Sequence, residues 1–332
     1  MQASVKMNAV LNCYEAEREK GRDVTILLPF VLRDTKKFID EIHLDAHTDV
    51  MNQLADSLLF MAMFPLIYKN RIKRNLAHIG IDDDTHFFFT DHNDTEIGLL
   101  LPYLKNNEPT QIQTTIDIND GIDYQRERKS SSGIRILISK ILSFLYNTHF
   151  IAVHESGLEF IYTDQKKYNL AVLDYSDKSI IDKYRIKVAD SPNCVLFYTS
   201  PYLEQLFEEE EYDRLNKEII EILHKKGYKV FVKSHPRFSD SKIVKDLADE
   251  IIPSYIPGEY IDLTSFNFAI GLSSTIIATA CEVIPSYSVL NVGRVKNITL
   301  RDSYIKYITD INPNVCFIVS LNELPDYSKK NL

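Results

Sequence analysis

The chain has 332 residues, which is long for a single hydrophobic core and sufficient for two domains. Hydrophobic residues make up 45% of the sequence and charged residues 26%, proportions that exclude a generally disordered chain. The formal net charge of -9 excludes a general nucleic-acid binder, which would carry a basic balance.

The first half alternates between helix-type and strand-type segments. Apolar periodicity predicts a helix at 2–19, a strand at 23–30, a helix at 51–73 interrupted at Pro65, and strands at 86–90 and 111–118. A doubly wound domain normally begins with a strand. Because this chain begins in a helix, we expect a first strand to be missing from it.

Two segments of this half combine apolar and basic residues. Residues 134–145 repeat large apolar side chains at helical spacing after the basic run 126–129, and residues 69–74 bring four cations after an apolar stretch. Such segments can lie on an anionic membrane surface. The alternative is a pair of core-facing helices with solvated charges.

The second half is more regular after a segment at 151–190 that we expect to be irregular. Its pattern predicts strands at 194–198, 229–233 and 266–270, with helices at about 203–225, at 240–250 and from Thr275 onward. We therefore predict an α/β fold with doubly wound parallel sheets, divided into domains at 1–190 and 191–332.

The four cysteines are scattered without a CxxC pair, which predicts buried thiols rather than a disulfide framework or a zinc site. The histidines likewise lack the spacing of metal ligands, so no metal is predicted. The sequence also lacks a signal-peptide pattern and a bilayer-length apolar stretch, and we expect a cytoplasmic protein.

The first candidate site is the run Lys233-Ser234-His235-Pro236-Arg237. Pro236 cannot continue a central strand, so His235 is placed where the strand ends, at the sheet edge that binds ligands in parallel sheets. A cluster of Lys, His and Arg at that edge suits a phosphate. The alternative is a strand-end histidine that only bonds to the backbone.

The second candidate is the stretch from Gly271 to Thr275, between an apolar strand and an apolar helix. Gly271 permits a tight turn, and the hydroxyls of Ser273, Ser274 and Thr275 join the helix-start N–H groups in a site for an anion. An ordinary N-cap explains one of these hydroxyls but not three.

The third candidate is the strand end Asp117-Ile118-Asn119-Asp120-Gly121 in the first half. A carboxylate there could take a proton from an acceptor hydroxyl. The alternative is a plain Asn-Asp-Gly turn.

In this order, the Asp-Gly, His-Pro and Ser-Ser-Thr motifs resemble those of bacterial sialyltransferases of glycosyltransferase family 52 and of bacterial polysialyltransferases. The Pro257-Gly258-Glu259 stretch resembles the Pro-x-Glu element of that family. Thr199-Ser200-Pro201, which follows the first predicted strand of the second domain, also resembles the family. The similarity is strongest over 194–285. Four short motifs in the same order and structural context make a chance match improbable.

The resemblance implies a GT-B fold, in which two Rossmann-like domains face a central cleft: an acceptor-side domain and a nucleotide-sugar-binding domain. It assigns the general base to Asp120 and contact with the donor phosphate to His235, which would protonate the leaving group. Ser273 and Ser274 would bind the same phosphate, and Glu259 would hold the nucleotide. The further donor-site candidates are Lys233, Pro236, Arg237, Gly271 and Thr275.

The sequence departs from the family at Asn119, where the first acid of the motif is an amide that cannot act as a base. The ranking of bases is therefore Asp120 first and Asp117 second. Asn119, Gly121, Thr199 and Ser200 are secondary candidates for the site.

The reaction implied is a metal-independent, single inverting displacement that moves sialic acid from CMP-sialic acid to lipooligosaccharide or capsule glycan, with no further cofactor. The implied partners are the nucleotide-sugar donor and a glycan or glycolipid acceptor, and no nucleic acid is expected. Peripheral contact of the two basic apolar segments with the inner face of the membrane is left open, as is a homodimer. The alternatives are a hexose donor, a CDP-polyol phosphotransferase of the teichoic-acid type, which Glu259 disfavours, and a non-catalytic glycan-binding protein.

Overall fold

The computed structural model describes residues 3–28, 33–51, 58–81, 84–89, 99–104, 109–114, 129–130, 133–146, 149–155, 158–164, 169–173, 179–200, 205–234, 240–272 and 276–327. The chain forms two compact units, Met1–Ile180 and Ile181–Leu332. The division falls ahead of the predicted boundary at 190. Among the described residues, no helix combines the length and the apolar character needed to cross a membrane.

Within its described residues, the first unit combines helices with three small sheets. Its described helices are α1 (Ala3–Glu19), α2 (Thr35–Glu41), α3 (Leu58–Met63), α4 (Pro65–Ile79) and α5 (Ile134–Tyr146), and α6 (Ser179–Lys183) spans the division between the units. Its strands are β1 (Thr25–Leu28), β2 (His47–Val50), β3 (Phe88–Phe89), β4 (Thr110–Thr114), β5 (Lys129–Ser130), β6 (His149–Glu155), β7 (Leu158–Asp164) and β8 (Asn169–Leu173). The pair β1-β2 and the sheet β3-β4-β8 are parallel, whereas β5-β6-β7 is antiparallel.

The predicted helix at 2–19 and the interruption at Pro65 are confirmed. Pro65 begins α4, where its missing N–H costs nothing, and Gly80 ends that helix in the left-handed conformation with φ 70°. The prediction of an irregular segment at 151–190 is wrong. Strands β6 and β7 form a hairpin that pairs Glu155 with Leu158, and each contains a short apolar run, at 150–153 and at 160–162, of the kind that marks the other strands.

The second unit is built on one six-stranded parallel sheet. Its strands are β9 (Cys194–Tyr198), β10 (Lys229–Lys233), β11 (Glu250–Ile252), β12 (Ala269–Gly271), β13 (Ser286–Ser288) and β14 (Cys316–Phe317), in the spatial order β11-β10-β9-β12-β13-β14. Numbered along the chain, this is the order 3-2-1-4-5-6 of a Rossmann domain. The predicted α/β class with parallel sheets is confirmed, and this unit has the Rossmann-like sheet that a GT-B fold requires.

Helices and turns cover both faces of this sheet. The helices are α7 (Glu209–Lys225), α8 (Lys242–Leu247), α9 (Ile276–Ala280) and α10 (Ile298–Ile311). Along β9, Val195 and Phe197 pack in one hydrophobic cluster, while Cys194, Leu196 and Tyr198 pack in the cluster on the other face. Burial on both faces explains why this strand is a continuous apolar run rather than an alternating one.

The predicted strands at 194–198 and 229–233 match β9 and β10 residue for residue. The predicted helix at 240–250 is too long: α8 ends at Leu247 because Ala248 is extended, and the chain continues into β11. The predicted strand at 266–270 is shifted, since β12 occupies Ala269–Gly271.

Candidate functional site

The carboxyl ends of β9 and β12 lie side by side in the second unit. From β9 the chain continues to β10 on one side, whereas the later strand β12 flanks β9 on the other side. The strand order therefore reverses between β9 and β12. Ligands of open parallel sheets bind at such a point, outside the carboxyl ends of the strands. Thr199 and Ser200 follow β9 here, and Gly271 ends β12.

Gly271 allows β9 and β12 to approach each other closely at this point. It pairs with Tyr198 across the sheet, and a Cβ atom added to it would lie 3.3 Å from the Tyr198 carbonyl oxygen. That distance is tighter than an ordinary contact, and the opposing atom belongs to the backbone. The position therefore favours glycine, as the motif predicts.

The turn Gly258–Tyr260 carries Glu259 to the same edge. A Cβ atom added to Gly258 would lie 3.0 Å from Ile276 Cγ1 and 3.3 Å from Tyr198 Cε1. The turn therefore packs against the end of β9 and against the first residue of α9. Burial raises the pKa of the Tyr198 phenol, and the negative charge of Glu259 raises it further. The Tyr198 Oη atom is buried with no hydrogen-bond partner among the described residues.

Lys233 ends β10 with its ammonium group inside the protein. Only 5% of the residue is exposed, and Nζ donates hydrogen bonds to the carbonyl oxygens of Ser234 at 2.7 Å and Ser254 at 3.5 Å. Burial lowers the pKa of Lys233 to about 8, against the opposing effect of the Glu259 and Asp240 charges. The lysine thus joins the ends of β10 and β11 and places a titratable cation beneath the edge.

Asp240 connects the chain after β9 to the chain after β10. Thr199 Oγ1 donates a hydrogen bond to Asp240 Oδ1 at 2.7 Å, and Ser234 Oγ donates one to Asp240 Oδ2. The Thr199 N–H also donates to the Lys233 carbonyl at 3.2 Å. Ser234 and Asp240 flank residues 235–239, so this carboxylate holds the two ends of the His-Pro segment together.

Ser200 is buried at the start of the segment that follows β9. Its carbonyl oxygen accepts a hydrogen bond from the hydroxyl of Tyr212 on α7. Its own hydroxyl is buried and has no hydrogen-bond partner within the described ranges. That hydroxyl is therefore a polar group at the strand-order reversal whose bonding the described protein groups do not satisfy.

Of the predicted site residues, the structure describes Thr199, Ser200, Lys233, Glu259 and Gly271, and it brings all five to one sheet edge. Ten others lie outside the described residues: Asp117, Asn119, Asp120, Gly121, His235, Pro236, Arg237, Ser273, Ser274 and Thr275. The His-Pro segment leaves the sheet after β10 and the serine segment after β12, which are the two neighbours of β9.

Sequence reasoning missed Asp240 and Tyr198 as parts of this edge, and it included Ser234 in the His-Pro run without giving it a role. Asp240 had been interpreted only as the start of a helix, whereas the N-cap is Ser241, whose side chain accepts from the Val244 N–H. The available signal was an acidic residue directly before an N-cap and shortly after a His-Pro pair.

Three comparisons place the chain among known proteins. The sequence profile of the alpha-2,8-polysialyltransferase family (POLYST) matches residues 96–292, a span that contains all of the motifs. Comparison with curated proteins gives no match. A crystal structure from Listeria monocytogenes, described as a UDP-N-acetylglucosamine 2-epimerase, is similar with a TM-score of 0.45 and 11% identity, over 93% of this chain and 85% of that one.

The family match extends over more than half of the chain, from the first unit into the sheet of the second. The chain is a member of the alpha-2,8-polysialyltransferase family and, as such, a sialyltransferase-like glycosyltransferase.

Proposed function

We propose that this protein transfers sialic acid from CMP-sialic acid to a glycan acceptor, with the donor phosphate bound at the carboxyl edge between β9 and β12. The family match carries the proposal, because its span includes the Asp-Gly, His-Pro and serine motifs together. The Rossmann strand order supports it, because such sheets bind nucleotides at the point where the order reverses.

On the donor side, we assign binding of the phosphate to His235, Ser273 and Ser274. In the sequence, His235 follows β10 and the two serines follow β12, the two strands that flank β9. Lys233, Arg237 and the start of α9 add positive potential at this edge. Asp240 fixes the ends of the His-Pro segment through Thr199 and Ser234. Glu259, beside the start of α9, is assigned to the nucleotide.

On the acceptor side, we assign the general base to Asp120, with Asp117 as the second choice, because the amide of Asn119 cannot accept the proton. The acceptor oxygen forms a bond to the anomeric carbon of sialic acid while the bond from that carbon to the CMP phosphate oxygen breaks. Asp120 takes the acceptor proton, and His235 donates a proton to the leaving phosphate. The configuration inverts in this single step, which uses no metal.

We propose lipooligosaccharide or capsule glycan as the acceptor and the cytoplasm as the place of reaction. This part of the proposal extends the sialyltransferase assignment to a class of acceptor, the surface glycans, and to the place where they would be sialylated.

CMP release from CMP-sialic acid by purified protein tests the function. We expect turnover with the wild type, and in His235→Ala a loss of at least about a hundredfold, the usual contribution of a general acid. His224→Ala is the matched control, because this half-exposed histidine bonds to Asp249 near the amino end of β10, at the opposite edge of the sheet.

Turnover of UDP-hexoses without CMP release would replace this donor by a hexose donor. Turnover of a CDP-polyol would indicate the teichoic-acid type of phosphotransferase instead. An unchanged rate in Asp120→Ala would reject the assignment of the base.

A further inference from the structure

Helix α5 carries two apolar faces, and one of them points to solvent. Leu142 and Tyr146 are buried against α3 and α4. Ile134, Leu137, Ile141 and Phe144 follow at spacings of three and four residues on the other side, and they are 76%, 58%, 39% and 87% exposed. A surface helix that packs only on the core carries polar and charged residues on its opposite face. The second face therefore calls for a partner.

The junction between α3 and α4 exposes four more large apolar side chains. Met63, Phe64, Leu66 and Ile67 are 53%, 43%, 75% and 53% exposed. A hydrogen bond of 3.0 Å from the Tyr146 hydroxyl to the Met61 carbonyl ties the last turn of α5 to this junction. The two exposed groups therefore lie on elements that pack against each other, and together we term them the apolar surface.

The charged residues of the helices that carry the apolar surface are all basic. Residues 58–81 and 133–146 contain no Asp or Glu, although the chain has 47 acidic residues and a net charge of -9. They contain six cations: Lys69, Arg71, Lys73, Arg74, Arg135 and Lys140. On α4, Arg71, Lys73 and Arg74 are exposed in the turns that follow Leu66 and Ile67.

We propose that the apolar surface docks this protein on an anionic lipid bilayer. Large apolar side chains flanked by Lys and Arg have the chemistry that enters the headgroup region and meets lipid phosphates. A second copy of the chain fits less well, because a two-fold interface would bring this basic surface against itself. The inference concerns binding alone and does not depend on the donor or on the reaction.

Cosedimentation with vesicles tests the proposal. The protein is mixed with vesicles of equal parts phosphatidylglycerol and phosphatidylcholine, and with vesicles of phosphatidylcholine alone. We expect binding to the anionic vesicles that high salt weakens. In Leu66→Gln/Phe144→Gln the partition coefficient should fall by about tenfold or more, since two exposed anchors are lost. The control Ile298→Gln/Val319→Gln changes residues 61% and 70% exposed in the second unit and should bind as the wild type does.

A second pair of variants separates local from overall charge. Lys73→Glu/Arg74→Glu should lose about tenfold or more of the anionic binding, whereas Lys217→Glu/Lys306→Glu, both exposed in the second unit, should lose far less. Each substitution changes the charge by two, so both double variants have the same net charge.

Equal binding to the two kinds of vesicle, or wild-type binding by Leu66→Gln/Phe144→Gln, would overturn the proposal. So would a dimer in light scattering that this variant abolishes while vesicles are not bound, because the surface would then be an interface between copies. Circular dichroism of the variants checks that they fold.

Discussion

Asp240 has a role that its position in the sequence does not suggest. Its two carboxylate oxygens accept hydrogen bonds from Thr199 and Ser234, on segments that follow different strands. Hydrogen bonds to a charged group stabilise more than neutral ones do, by about 1.5–3 kcal/mol each. This carboxylate therefore fixes Ser234 and Asp240, the residues that flank the His-Pro segment, relative to each other.

We expect Asp240→Ala to lower the free energy of unfolding by about 2–4 kcal/mol and to slow CMP release, because Thr199 and Ser234 lose their acceptor. Urea unfolding and a CMP-release assay measure the two effects. Asp246→Ala, an exposed acid on the neighbouring helix α8, serves as the control and should change neither. Equal behaviour of the two variants would contradict the role given to Asp240.

Lys233 gives the protein a characteristic response to pH. Its pKa of about 8 in the folded protein lies below the ordinary value of 10.5 because burial disfavours the ammonium form. Between these two values the unfolded chain holds a proton that the folded chain has lost. The contribution of Lys233 to the free energy of unfolding therefore rises with pH over this window, on the order of 3 kcal/mol.

Lys233→Met should remove this rise. Urea unfolding of both proteins at pH 7.5 and pH 9.5 compares the slopes, and we expect the wild type to gain stability relative to the variant as pH increases. A parallel pH dependence of the two proteins would show that Lys233 titrates normally.

Among the elements, the turn Gly258–Tyr260 depends on close packing against α9. Gly258 leaves no room for a side chain, since an added Cβ atom would lie 3.0 Å from Ile276 Cγ1. This packing sets the position of Glu259 relative to the start of α9.

Gly258→Ala should cost about 1–3 kcal/mol of stability through overpacking. In an Ile276→Ala background, where the opposing side chain is shortened, the same substitution should cost about 1 kcal/mol less. Thermal and urea unfolding of the four proteins in this cycle give the coupling. An identical cost in both backgrounds would mean that the contact with Ile276 does not require the glycine.

The sequence predicted strands correctly where burial on both faces of the sheet produces a continuous apolar run. Cys194–Tyr198 and Lys229–Lys233 were predicted with correct bounds for that reason. Ser286–Ser288 and Cys316–Phe317 were missed because they are two or three residues long and owe their strand conformation to their neighbours in the sheet. The hairpin of β6 and β7 was missed although its strands contain apolar runs at 150–153 and 160–162, so this signal was present in the sequence.

For the site, short motifs identified Lys233, Glu259 and Gly271, because their residue types and spacing carry chemical meaning. Asp240 could not be found in this way. Its partner Thr199 lies 41 residues away in the sequence, and only the parallel pairing of β9 with β10 brings the two together.

In the whole molecule, charge and apolar surface are distributed unevenly. The chain is acidic overall, whereas α4 and α5 of the first unit carry basic but no acidic residues, and α3, α4 and α5 expose large apolar side chains. Periodicity alone left open whether these helices face a core or a membrane. The structure adds that Phe144 and Leu66 are 87% and 75% exposed, which depends on how the helices pack and which periodicity cannot give.

The central claim is that a CMP moiety binds at the carboxyl edge of the second unit. Hydrogen–deuterium exchange of the full chain with and without CMP tests it most directly. The account predicts slower exchange in peptides that contain Thr199 and Ser200, residues 233–240 and residues 271–276, with no change in the peptide at residues 224–229, at the opposite end of β10. Protection confined to the first unit, or saturating CMP that leaves all three carboxyl-edge peptides unchanged, would contradict it.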